Sequence, residues 1–390
     1  MRVTHVITRL VVGGAQENTV ASVLGLQQEP GLEVNLLSGP SFGPEGSLES
    51  AFRHRPTALQ VVPHLVRPVH PWNDLRALRE LTDAFQRTRP DIVHTHSGKA
   101  GILGRFAAAR AGVPVIIHTI HGPSFGPFQG PLANLLFRTA ERRAGRLTTH
   151  FVSVAHAMTD QYCRAGIGRP EQFTRIVSGF NLAPLLSAKN KPEIRARWGL
   201  GPSDIVVGKI ARLFKLKGHD ELLEAAPRLV QNCPQLRFLL VGDGAWRGRL
   251  AAKARALGVE KYFVFTGLVP PDTIPELIGV MDFIVHLSRR EGLPRALPQA
   301  LAAGRPVVAY DCDGAREVCL DGETGFLVRA GDLTGFTDRV LRLARDPALR
   351  GTLGKRGREL VEQQFGLDRM IAQLHRLYLE LLERRKLTRA

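Results

Sequence analysis

At 390 residues the chain exceeds what one hydrophobic core usually supports, which predicts two domains of comparable size. With 44% hydrophobic and 23% charged residues, it is excluded from the disordered and fibrous classes. The net charge of +17 draws polyanions, whether nucleic acid, anionic membrane or phosphorylated small molecules. It is spread evenly: residues 1–190 carry 20 Lys and Arg against 12 Asp and Glu, and residues 191–390 carry 33 against 24, so a basic tail on a neutral body is ruled out.

In chain order, MRVTHVITRLVVGGAQ reads as a strand running into glycines, without the cleavage site of a signal peptide. A helix through ENTVASVLGLQ follows, then the strands LEVNLLS and DIVHTHS, the helix GILGRFAAARAG, and the strand VPVIIHTIHG. THFVSVAHAM predicts a strand and the start of a helix to Ala165, and FTRIVSG a further strand. This is the βαβ rhythm of a parallel, doubly wound α/β sheet. Between Asn181 and Gly201 the rhythm lapses into Pro, Ser and charged residues, which predicts an interdomain connection. A second series then runs DIVVGKIARL, ELLEAAPRLVQ, LRFLLVGDG, RGRLAAKARALG, KYFVFTG, TIPELIGVM, DFIVHLS, a helix ending at Gly304, and PVVAYDC. From Leu367 to Lys386, apolar residues at helical spacing predict a long terminal helix. The expected domains are 1–184, 185–366 and the helix 367–390. No internal repeat is evident, and no apolar run is long enough for a transmembrane helix. Cys163, Cys233, Cys312 and Cys319 form no C-x-x-C pair, which predicts a reducing compartment and no structural zinc.

Gly13 and Gly14 lie between the first strand and its helix, where backbone amides can approach a phosphate. A dinucleotide fingerprint would need a third glycine and an acid about 20 residues on, so a nicotinamide oxidoreductase is disfavoured. In the second series Arg212 ends a strand and Lys217 precedes the next helix beside Gly218. Two cations there would neutralise the charge that grows on a departing diphosphate. Glu291 sits in a Gly/Pro-bounded loop at a strand end, placed to accept hydrogen bonds from sugar hydroxyls or to cap the helix after it. His94, His96, His118 and His121 crowd two strand ends. The His-x-His pair imitates half a zinc site, but two further ligands are missing at suitable spacing.

Taken together, GGAQ, HTHSGKAG, HTIHG, ARLFKLKG, VGDG, FTG and EGLP…AAGRPVV…GAREV…DGETGFLV resemble the family 4 retaining glycosyltransferases of the GT-B fold, over nearly the whole chain and in the family's order. The resemblance implies two Rossmann-like domains facing across a cleft, with the terminal helix crossing back to the first. It implies transfer of a sugar from a UDP- or GDP-linked donor to a glycan or polyprenyl-linked acceptor, with retention, in cell-surface polysaccharide or glycolipid synthesis. His121, Glu291, Arg212 and Lys217 become the catalytic set. Gly13, Gly14, Gly242, Asp243, Thr266, Gly267, Gly292, Leu293, Pro294 and Gln299 join Arg212, Lys217 and Glu291 around the donor. His94, His96, Ser97 and Lys99 would meet the acceptor. The family works without a metal, so no cofactor is expected beyond the nucleotide-sugar substrate.

One position departs from the pattern: the family has a second glutamate eight residues after the first, gripping the ribose, and here Gln299 stands in its place. That leaves a weakly active or non-catalytic nucleotide-binding homologue as the alternative. A nucleic-acid-associated protein would need stacking platforms, which 6% aromatics and no recognition motif do not supply. The basic, apolar-edged segment PFQGPLANLLFRTAERRAGR fits peripheral contact with anionic lipid on the inner face of the plasma membrane, or a plain amphipathic helix.

Overall fold

The computed structural model describes residues 1–41, 46–126 and 128–387. Arg389, and Pro127 at the start of the basic segment, lie outside the described residues. Two compact units are present, Met1–Phe180 with Leu367–Ala390, and Asn181–Gly366.

The first unit contains β1 (Arg2–Ile7), α1 (Gly14–Leu26), β2 (Glu33–Ser38), β3 (Leu59–Val61), α2 (Pro71–Thr88), β4 (Ile92–His96), α3 (Gly98–Arg110), β5 (Val115–Ile120), α4 (Pro131–Gly145), β6 (His150–Ser153), α5 (His156–Arg164) and β7 (Phe173–Arg175). Its strands form one parallel sheet in the order β3-β2-β1-β4-β5-β6-β7. Every residue of β4 and β5 is buried, because helices cover both faces of a parallel sheet, and that is why these segments read as unbroken apolar and small polar runs.

The second unit contains α6 (Ala183–Leu186), α7 (Pro192–Arg197), β8 (Ile205–Ile210), α8 (His219–Asn232), β9 (Leu236–Val241), α9 (Arg247–Ala256), β10 (Phe263–Gly267), α10 (Ile274–Gly279), β11 (Phe283–His286), α11 (Ala296–Ala302), β12 (Val307–Tyr310), β13 (Gly325–Val328), α12 (Leu333–Arg345) and α13 (Pro347–Gln364). Its parallel sheet has the order β10-β9-β8-β11-β12-β13. The stretch expected as a plain connection is ordered and belongs to this unit. Of its two short helices, α6 packs against α10 and α11, and α7 is pinned by its buried Arg195, whose guanidinium donates to the carbonyls of Gly201 at 2.7 Å and Asp204 at 2.6 Å.

The final helix, α14 (Leu367–Leu387), buries Met370, Ile371, Leu374, Leu377, Tyr378 and Leu381. That is one apolar stripe at helical period. It joins the core that α1 and the first strands build, including Val3, Val20, Val23 and Leu36. Gly25 permits the contact with α1, since a Cβ there would lie 2.6 Å from Ile371 Cδ1. Behind α3, Arg105 and Glu141 are both fully buried and ion-paired at 2.5 Å. Ser124 donates to the other carboxylate oxygen, and the Gly101 carbonyl accepts from Arg105 Nε. Such a pair survives burial because further hydrogen bonds to both partners offset part of its desolvation.

In each sheet the strand order reverses direction once, between β1 and β4 and between β8 and β11. Ligands of open α/β sheets bind outside the carboxyl ends of the strands at such points.

Candidate functional site

In the second unit the carboxyl ends of β8 and β11 bring Lys217 and Glu291 together. Lys217 Nζ donates to Glu291 Oε1 at 2.5 Å, with both side chains largely buried. His286, the last residue of β11, places Nε2 3.4 Å from the same oxygen. Burial alone would push the Glu291 carboxyl up; the Lys217 ammonium and His286 outweigh it and hold the group well below the usual carboxylate range. Glu291 is therefore an anion at neutral pH. Its backbone N–H donates to Asp313 Oδ2 at 2.8 Å, and Gly314 N–H donates to the Gly292 carbonyl at 3.0 Å. The loop after β12 thus clamps the Glu291 loop, and Asp313 holds a left-handed φ of 48° to do so, a strained value for a non-glycine residue. Gly292, Leu293 and Pro294 are buried behind Glu291.

Lys217 is fixed from its own side as well. Leu216 has φ 70°, and its carbonyl accepts from Arg289 N–H at 2.9 Å and Ser288 Oγ at 3.2 Å. Gly218, the N-cap of α8 at φ 68°, cannot be replaced without conflict, since a Cβ would meet the Leu287 carbonyl oxygen at 2.1 Å. Arg212 is exposed just past β8, with its guanidinium 5.4 Å from the Phe214 ring centroid and its carbonyl accepting from His219 Nε2. Gly242 and Asp243 follow β9, where the Asp243 carbonyl accepts from Leu213 N–H. Thr266 and Gly267 end β10, and Gly242 N–H donates to the Gly267 carbonyl at 3.2 Å. Gln299 lies half-buried in α11. The preceding Pro298 costs no hydrogen bond there, because it falls in the first helical turn, where the N–H has no intrahelical acceptor.

In the first unit Gly13 is the N-cap of α1, with no side-chain cap, and Gly14 opens the helix. Among the described residues, only the flexible Gln16 amide crowds the space a Gly13 Cβ would take. His121 follows β5, and its Nε2 lies 3.0 Å from His96 Nδ1. His96 Nε2 is 2.9 Å from His5 Nδ1.

Here the acceptor assignment needs correction. His94 and His96 are 0% and 1% exposed, and both nitrogens of each ring are taken by neighbours within the unit, so no acceptor touches either. The alternation of side chains along a strand explains the error. His94 and His96 share one face of the sheet with His5, the register partner of His94, and that face is sealed by Tyr378 of α14. His118 points to the other face, where it bonds Thr95 and packs edge-on to Phe151. Of the proposed acceptor group, Ser97 is half-buried at φ 63° and bonded to Thr8. The Lys99 ammonium is ion-paired to Asp74 and donates to the Pro68 carbonyl. His5, His286, Asp313 and Tyr378 were not singled out from the sequence. His5 sat in plain view in the first strand and His286 only five residues before Glu291, whereas Asp313 and Tyr378 become meaningful only through contacts far along the chain.

Among the described residues, His5, His94 and His96 offer ring nitrogens within 4.8 Å of one another, so the third ligand missing from the His-x-His reading exists in space. All three rings are sealed from solvent and their nitrogens already bond to one another, to Tyr378, to Thr119 and to His121. Their geometry is that of a hydrogen-bonded chain. All four cysteines are free.

Two doubly wound sheets, one with a Lys–Glu pair and an exposed arginine at its switch point and the other with a glycine-capped helix N-terminus and an imidazole, fit a nucleotide-using group-transfer enzyme. Residues 13–178 match the Glycosyl transferase 4-like domain and residues 190–360 match Glycosyl transferases group 1. The chain belongs to the family 4 glycosyltransferases, of GT-B fold. It is 32% identical over 300 residues to the glycosyltransferase-type protein EpsD of Bacillus subtilis (strain 168), covering 75% of this chain and 77% of that one. It is 26% identical over 386 residues to the UDP-Gal:alpha-D-GlcNAc-diphosphoundecaprenol alpha-1,3-galactosyltransferase of Escherichia coli, covering 98% and 97%. In fold it is similar to Anabaena Alr3699/HepE solved in complex with UDP, with a TM-score of 0.81, 22% identity, and coverage of 97% and 100%. The fold and activity expected from the motifs are the ones found: the protein is a nucleotide-sugar glycosyltransferase. No helix among the described residues is long and apolar enough to cross a membrane.

Proposed function

We propose that this enzyme transfers a hexose with retention from a UDP- or GDP-linked donor to a lipid-linked or glycan acceptor, using Arg212 and Lys217 as the cations for the leaving diphosphate. The observation that carries this reading is the Lys217–Glu291 pair at the ends of β8 and β11. The pair holds an ammonium and an anion in fixed positions before any ligand arrives, and preorganised charge is what a charge-developing transition state rewards. The bond from the anomeric carbon to the diphosphate oxygen breaks, the acceptor oxygen bonds that carbon on the same face, and its proton passes to a diphosphate oxygen. Glu291 and the loop through Gly292, Leu293 and Pro294 bind the transferred sugar, while Gly242, Asp243, Thr266, Gly267 and Gln299 bind the nucleotide. His121 meets the donor sugar, Gly13 and Gly14 its phosphates, and Ser97 and Lys99 lie on the acceptor side.

Because these cations supply the counter-charge, the reaction is expected to proceed without a divalent metal and to persist in EDTA. For an acceptor on a polyprenyl lipid, α4 offers a place at the cytoplasmic membrane surface: Leu132, Leu135 and Leu136 are exposed, and Arg142 and Arg143 sit in its last turn. Apolar side chains beside arginines favour anionic lipid.

The test is a thermal-shift and hydrolysis screen of UDP-, GDP- and dTDP-hexoses. A raised melting point with one nucleotide and slow hydrolysis of its sugar support the reading. Lys217→Ala should then lower kcat about a hundredfold, the scale of losing one oxyanion donor. Stabilisation by NAD alone, or full activity of Lys217→Ala, would overturn it. Gln299→Glu should restore a charge-assisted bond to ribose and lower the donor KM about fivefold. An unchanged KM would show that Gln299 does not touch the ribose.

A further inference from the structure

We propose that Lys209, buried under the first turn of α8, is a reserve cation of the donor site, taking a proton from solvent when the donor's diphosphate docks and replacing the charge that Lys217 then withdraws from Glu291. This rests on the reading that the diphosphate binds at Lys217. Lys209 touches no reacting atom; it is a positioning residue that acts through Glu291.

The strand sets its place. Side chains alternate along β8, so Lys209 shares a face with Val207, which packs in the core that Leu222, Leu223 and Ala226 of α8 also enter. One step further along that face the lysine meets the start of α8, where it is 1% exposed. Its Nζ has no hydrogen-bond partner among the described residues, and neither has Nδ1 of His219, the first residue of α8. The charged and titratable groups that act on the ammonium, or feel it, are His219 and Glu221 on α8, Lys217 in the loop before it, His286 at the end of β11 and Glu291 just past it.

Both carboxylates are already held by other cations. Glu221 accepts from Arg289 Nε at 2.8 Å, and Glu291 accepts from Lys217. The remaining acid of that helical turn, Asp220, is held by Arg249 at 3.0 Å and Lys253 at 2.9 Å. In the free protein an ammonium at Lys209 is therefore surplus positive charge, and it lies beneath a helix N-terminus whose dipole has the same sign. The sheet does not call for it either: the neighbouring strand β9 presents Phe238, Leu239, Leu240 and Val241, all buried, and an apolar side chain would fit beside them.

A diphosphate supplies the missing counter-charge. As the Lys217 ammonium turns to the phosphate, the largely buried Glu291 loses the partner that keeps it ionised, and desolvation favours its neutral form. A neutral Glu291 has fewer lone pairs to offer sugar hydroxyls. A positive Lys209 behind it restores the balance. Burial holds Lys209 near 7 in the free protein, so at pH 8 most of it has a proton to gain. His219 and His286 are pushed down by burial and stay neutral at that pH.

Calorimetric titration of UDP and of GDP into the full-length protein at pH 8, in buffers of different ionisation enthalpy, counts the protons taken up. The terminal phosphate of either nucleotide, with a pKa of about 6, is already ionised and contributes none. A nearby opposite charge moves a buried group by about 1–3 pH units; at about 1.5, wild type takes up about 0.7 of a proton at pH 8, and its Kd rises about fivefold between pH 7.5 and 8.5. Lys209→Met should take up none and keep a flat Kd over that range. It should bind about fifteenfold more weakly than wild type at pH 7 but only about twofold more weakly at pH 8.5, a convergence that a merely structural lesion would not give. Uptake below about 0.2 of a proton in wild type overturns the proposal whatever the variant does, including a variant that fails to fold. Equal uptake in the two proteins, or a deficit of the same size at pH 7 and 8.5, overturns it while nucleotide binding leaves the donor-site reading standing. Should neither UDP nor GDP bind, the donor-site reading itself fails and the role of Lys209 falls with it.

Discussion

Replacing Lys209 with methionine should make the protein more stable at neutral pH. Lys209 lies in β8 with 1% exposure, and its Nζ has no hydrogen-bond partner among the described residues. Burial pushes the ammonium down from 10.5 to about 7, against the pull of Glu221 and with the repulsion of Lys217. In the unfolded chain the amine keeps its proton up to 10.5, so between pH 7 and 10.5 the unfolded state binds one more proton, and stability rises with pH across that window. At about 1.4 kcal/mol per pH unit, the gap amounts to roughly 4 kcal/mol of lost stability at pH 7 as an upper bound. Methionine fills a similar volume with a flexible apolar chain and carries no such penalty. Urea unfolding of wild type and Lys209→Met at pH 7, 8 and 9 isolates the effect, because titrations shared by both proteins cancel in the difference. The variant should be more stable by roughly 2–4 kcal/mol at pH 7, and its advantage should shrink by about 1.4 kcal/mol per pH unit. A variant less stable at pH 7, or an advantage equal at pH 7 and 9, would refute the reasoning.

Three further outcomes are expected. Glu141→Ala strands the fully buried Arg105 guanidinium and should cost about 3–5 kcal/mol, seen as a lower urea midpoint, whereas loss of an exposed pair such as Arg358–Glu362 should cost under about 1 kcal/mol. Gly218→Ala forces a Cβ into the left-handed region against the Leu287 carbonyl and should destabilise by at least roughly 2 kcal/mol; circular-dichroism melting checks it. His5, His94, His96 and His118 all have depressed folded-state values, so their contribution is fully present above pH 6.5 and is lost as pH falls below it. Four such groups give a slope approaching about 5 kcal/mol per pH unit between 6 and 4, and acid unfolding near pH 5 rather than pH 3 is the expected result.

The double α/β architecture was legible because period-2 and period-3.6 patterns alternate regularly in VTHVITRL, DIVHTHS, VVGKIARL and DFIVHLS. The three-residue β3, the four-residue β13 and the helices α6 and α7 were not, since pieces that short carry too few repeats to show a period. The unit 2 site was legible in its charged residues, because Lys217 and Glu291 stand in glycine-flanked loops after strands. Its support was not: Asp313 reaches Glu291 through a backbone contact 22 residues away, and no local pattern announces such a contact. His94 and His96 were misread for a related reason. Their position near a strand's carboxyl end points to a ligand, but whether that face is open depends on α14, which lies 284 residues further along at Tyr378.

The two units build the same switch-point scaffold and equip it with opposite electrostatics. In unit 2 a carboxylate keeps its charge under burial because an ammonium lies 2.5 Å away, and two ions that hold each other in place form a rigid source of field. In unit 1 no carboxylate among the described residues bonds the rings of His5, His94 and His96, and a proton on any one raises the cost of protonating its neighbours. Such a cluster stays neutral and offers direction instead of charge, through hydrogen bonds that point one way or the other. On the proposed mechanism the first kind of site suits a diphosphate departing with growing negative charge, and the second suits sugar hydroxyl groups, which both donate and accept hydrogen bonds. The absence of any repeat between the two halves of the sequence has the same cause: the backbone requirements of the sheet are shared, while the side chains at its edge answer to different chemistry.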